Sequence, residues 1–258
     1  MRAHVLTKKK KIQKLRRAIT IALILLAPVT LSIFMGIKLI KSHIEASDEH
    51  VRDAVVLLTG VQGSCTGVSI ETSAGKHYVL TAAHCSVLLD SEGQVTATNE
   101  QGVKDVLTKV QQDEDSDLLL LTSSSIFGSI KVSGTTLELH QHVHALTHGG
   151  GAPTYRTDGE VLDNFTGKIP VGMVLTKEEE AKCLSEKQHE IVPSFFGSMC
   201  VLSLNAVRAT AKAIPGSSGG PLVDESGRLV GIASFIDGNF SYYVQQNDIL
   251  KFLAKAAR

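Results

Sequence analysis

The chain has 258 residues and a mass of 27.6 kDa, with 43% hydrophobic and 20% charged residues, a composition that excludes a disordered or fibrous protein. Basic and acidic residues balance at 26 each, but residues 1–17 hold eight of the basic ones and no acid, which leaves 18 basic against 26 acidic residues, net −8, in the rest. That acidic body lacks the basic stripe of a nucleic-acid binder, so no nucleic-acid partner is expected.

In chain order, the basic segment 1–17 is followed by 20 uncharged residues, 18–37. As a helix they would reach about 30 Å, one hydrocarbon core. The positive flank predicts a cytoplasmic segment over 1–17, a transmembrane anchor over 18–40, and export of everything beyond it. A cleaved signal peptide is the competing reading. Its apolar run would be about 7–15 residues and would end at a small-x-small site, whereas this run is followed by Lys38 and Lys41. Both readings place the body on the periplasmic or extracellular side. Residues 41–50 (KSHIEASDEH) are polar and read as a stalk.

From residue 51 the pattern is mainly β. Short β-rich runs stand at 51–58, 65–70, 77–81, 94–98, 103–110 and 117–122, separated by turn formers. A second set follows at 139–146, 157–162, 199–205, 221–223, 229–235 and 241–245. Six strands and then six more predict two six-stranded antiparallel β-barrels. With no Trp and 5% aromatic residues, their cores have to be built from Val, Leu, Ile and Ala. Thr176 with Glu179 forms a capping box that opens a polar helix over 177–187. Asn247 is expected to cap a C-terminal helix whose stripe is Ile249, Leu250, Phe252 and Leu253.

The four cysteines, Cys65, Cys85, Cys183 and Cys200, all fall in the exported part. An even count in an oxidising compartment suggests two disulfides with three possible connectivities; four buried thiols are the alternative. No CxxC spacing supports a zinc site. His140, His142 and His144, with His148 close by, alternate as on one strand face, which reads as a solvated face rather than a metal ladder. No metal or cofactor is assigned.

Three motifs carry chemistry. Gly216-Ser217-Ser218-Gly219-Gly220-Pro221 fits the Gly-x-Ser-x-Gly turn of α/β-hydrolases, but that fold needs a histidine after the serine, and none lies beyond His189. The base therefore has to come from upstream, where Thr81-Ala82-Ala83-His84-Cys85 ends an apolar strand. Between them, Asp117 opens the run Leu118–Leu121, with Asp113 and Asp115 as competing loop acids. A serine hydroxyl needs an adjacent base near neutral pH, and an imidazole needs a partner to fix its tautomer.

With TAAHC, the Asp-Leu strand start and GxSGGP in this order, residues 51–258 resemble the chymotrypsin-like (trypsin-like, S1 family) serine proteases. The resemblance implies a triad of His84, Asp117 and Ser218, and an oxyanion hole made by the N–H groups of Gly216 and Ser218. It also implies disulfides Cys65–Cys85 and Cys183–Cys200. By the same resemblance Ser234 and Phe235 would pair with the substrate backbone, and Ser241 would stand on the far pocket wall. Lys212 stands six residues before Ser218, where trypsin-like members carry an acid, so Arg/Lys preference is not expected and acidic side chains would suit it better.

Ser217 also departs from the family. Digestive relatives have an aspartate there that pairs with a new N-terminus, so activation by that ion pair is not expected. The function implied is that of a membrane-tethered serine endopeptidase acting on protein or peptide substrates. The alternative is a catalytically silent member of the fold serving as a membrane-tethered binding or assembly module.

Overall fold

The computed structural model describes residue 35 and residues 48–72, 75–122, 127–174, 176–185, 189–194, 197–236 and 240–256. The chain divides into two compact units, Met1–Ala46 and Ser47–Arg258. The expected cytoplasmic segment and membrane anchor, Met35 apart, lie outside the described residues. Among the described residues no helix is long and apolar enough to cross a membrane.

The first barrel contains β1 (Val55–Gly60), β2 (Gly63–Glu71), β3 (His77–Thr81), β4 (Gln94–Asn99), β5 (Lys104–Asp113) and β6 (Leu118–Thr122). It closes in the order β1-β2-β3-β6-β5-β4 through antiparallel pairs. The second set is β7 (His142–Thr147), β8 (Tyr155–Val174), β9 (His189–Ser194), β10 (Gly197–Ala209), β11 (Pro221–Asp224), β12 (Leu229–Ile236) and β13 (Ser241–Gln245). Their order is β13-β12-β11-β7-β8-β10-β9, and β13 also pairs with β10. That pairing closes six strands into a second barrel and leaves β9 outside, on the far edge of β10. The expected two-barrel architecture is present.

Three local expectations are corrected. Residues 48–54 are helical (α1), although 51–54 read as strand. Val51 and Ala54, three residues apart and so on one helix face, are fully buried, and burial of that face outweighs the β preference of valine. Strand β8 runs far beyond its expected 157–162 and pairs with β10 as a long ribbon. Gly167, Pro170 and Gly172 hid this extension, and Pro170 is accommodated beside a register shift in the ladder. Strand β9 was not legible, for its short run carries a proline and a glutamate.

Thr176 and Glu179 do exchange capping hydrogen bonds (2.9 and 3.2 Å) ahead of helix α2 (Lys177–Ser185). The final helix α3 (Gln246–Ala256) starts one residue before the expected cap, so Asn247 lies within its first turn. Ile249 and Phe252 are buried and Leu253 partly so, but Leu250 is 39% exposed and falls off the stripe.

Strand periodicity divides the core. Val56, Leu58, Val79, Leu119 and Leu121 fill the first barrel, whereas Val143, Ala145, Leu222, Val230 and Tyr243 fill the second. A third cluster takes the other face of the same strands: Val55, Leu80, Leu118 and Leu120 from the first barrel, Leu146, Val223, Ile232 and Val244 from the second. Helices α1 and α3 seal it with Val51, Ala54, Ile249 and Phe252. The four consecutive leucines of β6 are explained by this arrangement, since one face looks into the barrel and the other into the seam. Leu120→Ala, fully buried in the seam, is expected to lower stability by about 2–5 kcal/mol. Val106→Ala, at a side chain 53% exposed, should change it by less than about 0.5 kcal/mol, as read by denaturant unfolding.

Candidate active site

His84 lies in the 3₁₀ turn Ala83–Leu88, which follows β3, and Cys85 beside it is bonded to Cys65 of β2. The second disulfide joins Cys183 of α2 to Cys200 of β10. Both expected pairings are found. Closing a loop with a sequence separation of 20 is worth roughly 3 kcal/mol, and here it pins the histidine turn to the barrel wall.

Asp117 is the last residue of the turn before β6 and has φ of +51°, a left-handed conformation that aspartate tolerates better than most residues. That conformation aims its carboxylate back at the histidine turn. Oδ1 accepts from the His84 backbone N–H at 2.9 Å, and the His84 Nδ1 atom lies 3.1 Å from Oδ1 and 3.0 Å from Oδ2. The Asp117 side chain is 6% exposed while the His84 ring is 48% exposed, so a shielded carboxylate orients a ring that faces solvent. Burial works to lower the imidazole pKa, but the charge and hydrogen bond of Asp117 outweigh it and raise the value above the ordinary 6.5. Asp113 meets Lys255 at 3.1 Å instead.

Ser234 donates a 2.5 Å hydrogen bond to Asp117 Oδ2. Its residue sits at the register shift between β12 and β13, flanked by Ala233 and Phe235, and such a bulge re-aims a side chain out of the ladder. The family resemblance assigned Ser234 to the substrate backbone, and nothing local in the sequence signalled this contact across 117 positions.

The Gly216–Gly220 turn rests against the first barrel through Thr66 of β2. The Thr66 N–H donates to the Ser218 carbonyl (2.8 Å), and its hydroxyl donates to the Gly216 carbonyl (2.9 Å). The same hydroxyl accepts from the His148 N–H at 2.9 Å. Cys85 Sγ stands 3.8 Å from the Ser218 carbonyl, so the serine backbone lies beside the residue next to His84. His84 and Ser218 are not hydrogen-bonded to each other; such bonds are often long without substrate and tighten when it binds. Gly216 has φ of +91°, and among the described residues its N–H and that of Ser218 meet no protein acceptor. Thr66 was missed by sequence reading, because a threonine after a cysteine carries no pattern of its own.

The other expected residues fall as follows. Lys212 is exposed, and its carbonyl accepts from the Thr157 hydroxyl at 2.9 Å. Phe235 packs against Tyr242 with ring centroids 6.0 Å apart. Ser241 is buried, and its hydroxyl accepts from the Ala213 N–H at 2.8 Å. The histidine row is corrected: His140 lies in the turn before β7 at φ of +61°, His142 is exposed, and His144 is buried against Asp48. Burial, then the charge of Arg156, pushes His144 down to about 4, so it is held neutral rather than solvated.

The fold is that of the trypsin-like proteases. A family model described as a trypsin-like peptidase domain matches residues 65–232, and the chain belongs to that family. Among solved structures, the chain resembles the protease Rv3671c from M. tuberculosis. With its inactive form the TM-score is 0.59 at 17% identity, covering 85% of this chain and 95% of that one. With its active form the TM-score is 0.60 at 18% identity, covering 84% and 86%. The serine endoprotease from Yersinia pestis gives 0.60 at 18% identity, covering 83% of this chain and 66% of that one. At these identities the likeness is one of fold. No curated protein matches the chain in sequence.

By proton NMR of the imidazoles, His84 should titrate above 6.5 in the wild type and below it in Asp117→Asn, where burial is left without the compensating charge. The sign for stability follows. The pair contributes fully below 6.5, and its contribution is lost as the pH rises through the elevated folded value.

Proposed function

We propose that this protein is a serine endopeptidase that hydrolyses protein or peptide substrates with His84, Asp117 and Ser218, held at a membrane by residues 18–40 with its catalytic body on the periplasmic or extracellular side. One observation carries the reading. A histidine oriented by a shielded carboxylate faces solvent beside a glycine turn that contains Ser218 and two N–H groups with no acceptor among the described residues. The family match supports the reaction class. The uncharged run 18–37 behind eight basic residues supports the tether.

In this mechanism His84 Nε2 takes the Ser218 proton as Oγ attacks the substrate carbonyl. The developing oxyanion is held by the N–H groups of Gly216 and Ser218, each worth about 2.7–4 kcal/mol of barrier lowering. His84 then gives its proton to the leaving amine, and water releases the acyl group by the same steps in reverse roles. Asp117 keeps the Nδ1 proton facing it and stabilises the imidazolium, and Ser234 holds Asp117 in place. No step requires a cofactor. Lys212 is exposed and so available to an acidic substrate side chain.

A fluorophosphonate probe should label the wild type at Ser218 and fail with Ser218→Ala. Asp117→Asn should reduce kcat on a cleaved peptide roughly 10⁴-fold. The pH profile of kcat/KM should rise through an inflection above 6.5, because only neutral His84 acts as the base. New protein N-termini seen with the wild type and absent with Ser218→Ala would identify substrates. No labelling of the wild type would instead favour the silent, membrane-tethered binding module.

A further inference from the structure

The residue before the nucleophile has no charge and no exposed surface, yet it is the most heavily bonded hydroxyl of the turn. Ser217 Oγ lies 2.9 Å from Thr147 Oγ1 and 2.9 Å from the Tyr155 hydroxyl, and it accepts from the Ile214 N–H at 3.0 Å. The Ser217 N–H closes the same loop by donating to the Ile214 carbonyl at 2.8 Å. Thr147 and Tyr155 are cross-strand partners where β7 meets β8, so two strand ends grip one side chain of the catalytic turn.

The start of β8 is in turn held by α1. Arg52 Nη1 donates to the Thr154 carbonyl at 3.0 Å, and Asp48 accepts from Arg156. These bonds fall on either side of Tyr155. The intervening loop is packed against the turn as well: the Gly150 N–H donates to the Pro215 carbonyl at 2.7 Å. His148 closes the loop on itself, with Nδ1 2.9 Å from the Ala152 carbonyl and Nε2 3.2 Å from the Thr154 hydroxyl.

We propose that Ser217 and Tyr155 are positioning residues that hold the Gly216–Ser218 N–H groups in register, and that α1, through Asp48 and Arg52, holds Tyr155 in place. This rests on the serine protease reading above. In this arrangement the first helix of the body takes the part that a buried charge pair takes in digestive relatives. It does so with neutral hydrogen bonds to the turn and with ion pairs only at the remote end, where water already reaches them. Charge at position 217 would need a buried counter-charge, and Thr147 and Tyr155 supply hydroxyls instead. Because α1 follows directly on residues 41–47, the strand that grips the turn is anchored by the same segment through which the tether would reach the body.

The test uses the full chain in detergent and compares the second-order rate of fluorophosphonate labelling, each variant being assayed well below its own melting midpoint. Tyr155→Phe and Ser217→Ala should label roughly tenfold more slowly than wild type, the expected effect of one lost positioning bond, with kcat falling and KM little changed. Ser217→Thr, which keeps the hydroxyl, should retain most of the rate. Asp48→Asn and Arg52→Gln, which touch nothing in the turn, should each slow labelling about threefold.

Wild-type rates in Tyr155→Phe and Ser217→Ala would overturn the proposal, as would a normal rate in both α1 variants. If Ser217→Ala does not fold, Tyr155→Phe, which loses a single oxygen, decides alone. A wild type that does not label at all would overturn the protease reading itself, and the inference with it.

Discussion

Gly219 lies so close to the first barrel that a Cβ there would fall 1.9 Å from Thr81 Oγ1 and 2.2 Å from the Thr66 carbonyl. Its φ of +82° independently demands glycine. This approach is the constraint on which the rest of the site depends. It brings a turn of the second barrel within hydrogen-bond reach of β2, so that Thr66 can bind the carbonyls of both Gly216 and Ser218. The Gly219 N–H and Gly220 carbonyl then bind Ala233, which ties the turn back to β12. One residue of each barrel therefore fixes the turn from opposite sides.

The approach is sustained by the apolar seam behind it. Strands of both barrels place every second side chain there, and α1 and α3 cover its ends. A seam of branched aliphatic side chains, packed as densely as any protein interior, resists sliding of one barrel past the other. The polar atoms of the site are then positioned by backbone and disulfide rather than by long side chains. His84 immediately precedes a cross-linked cysteine, Asp117 occupies a left-handed turn, and Ser234 projects from a bulge. The left-handed conformation of Asp117 is locally unfavourable, and such strain persists only where surrounding packing over-determines it.

Much of this was legible in the sequence. The six-plus-six strand pattern, the capping box at Thr176, the pairs Cys65–Cys85 and Cys183–Cys200, and the meeting of His84 with Asp117 all appear as expected. Strand patterns are read from neighbours two residues apart, and a capping box from residues three apart, so short windows contain them. The motif residues were found because each stands beside a recognisable strand end or turn. Strand β9 and the long ribbon of β8 failed on the same logic, since their pairing partners lie elsewhere in the chain and their own residues include glycine and proline.

Local periodicity and motif order thus determined the fold class and the identity of the candidate site residues, while the cysteine pairing came only from the family resemblance. Only the tertiary structure decided what surrounds them. Ser234 on Asp117, Thr66 under the Gly216–Gly220 turn, and the Thr147–Tyr155 grip on Ser217 join residues 62 to 152 positions apart. A hydrogen bond of this kind is set by where two barrels pack, and no window of the chain contains both of its ends.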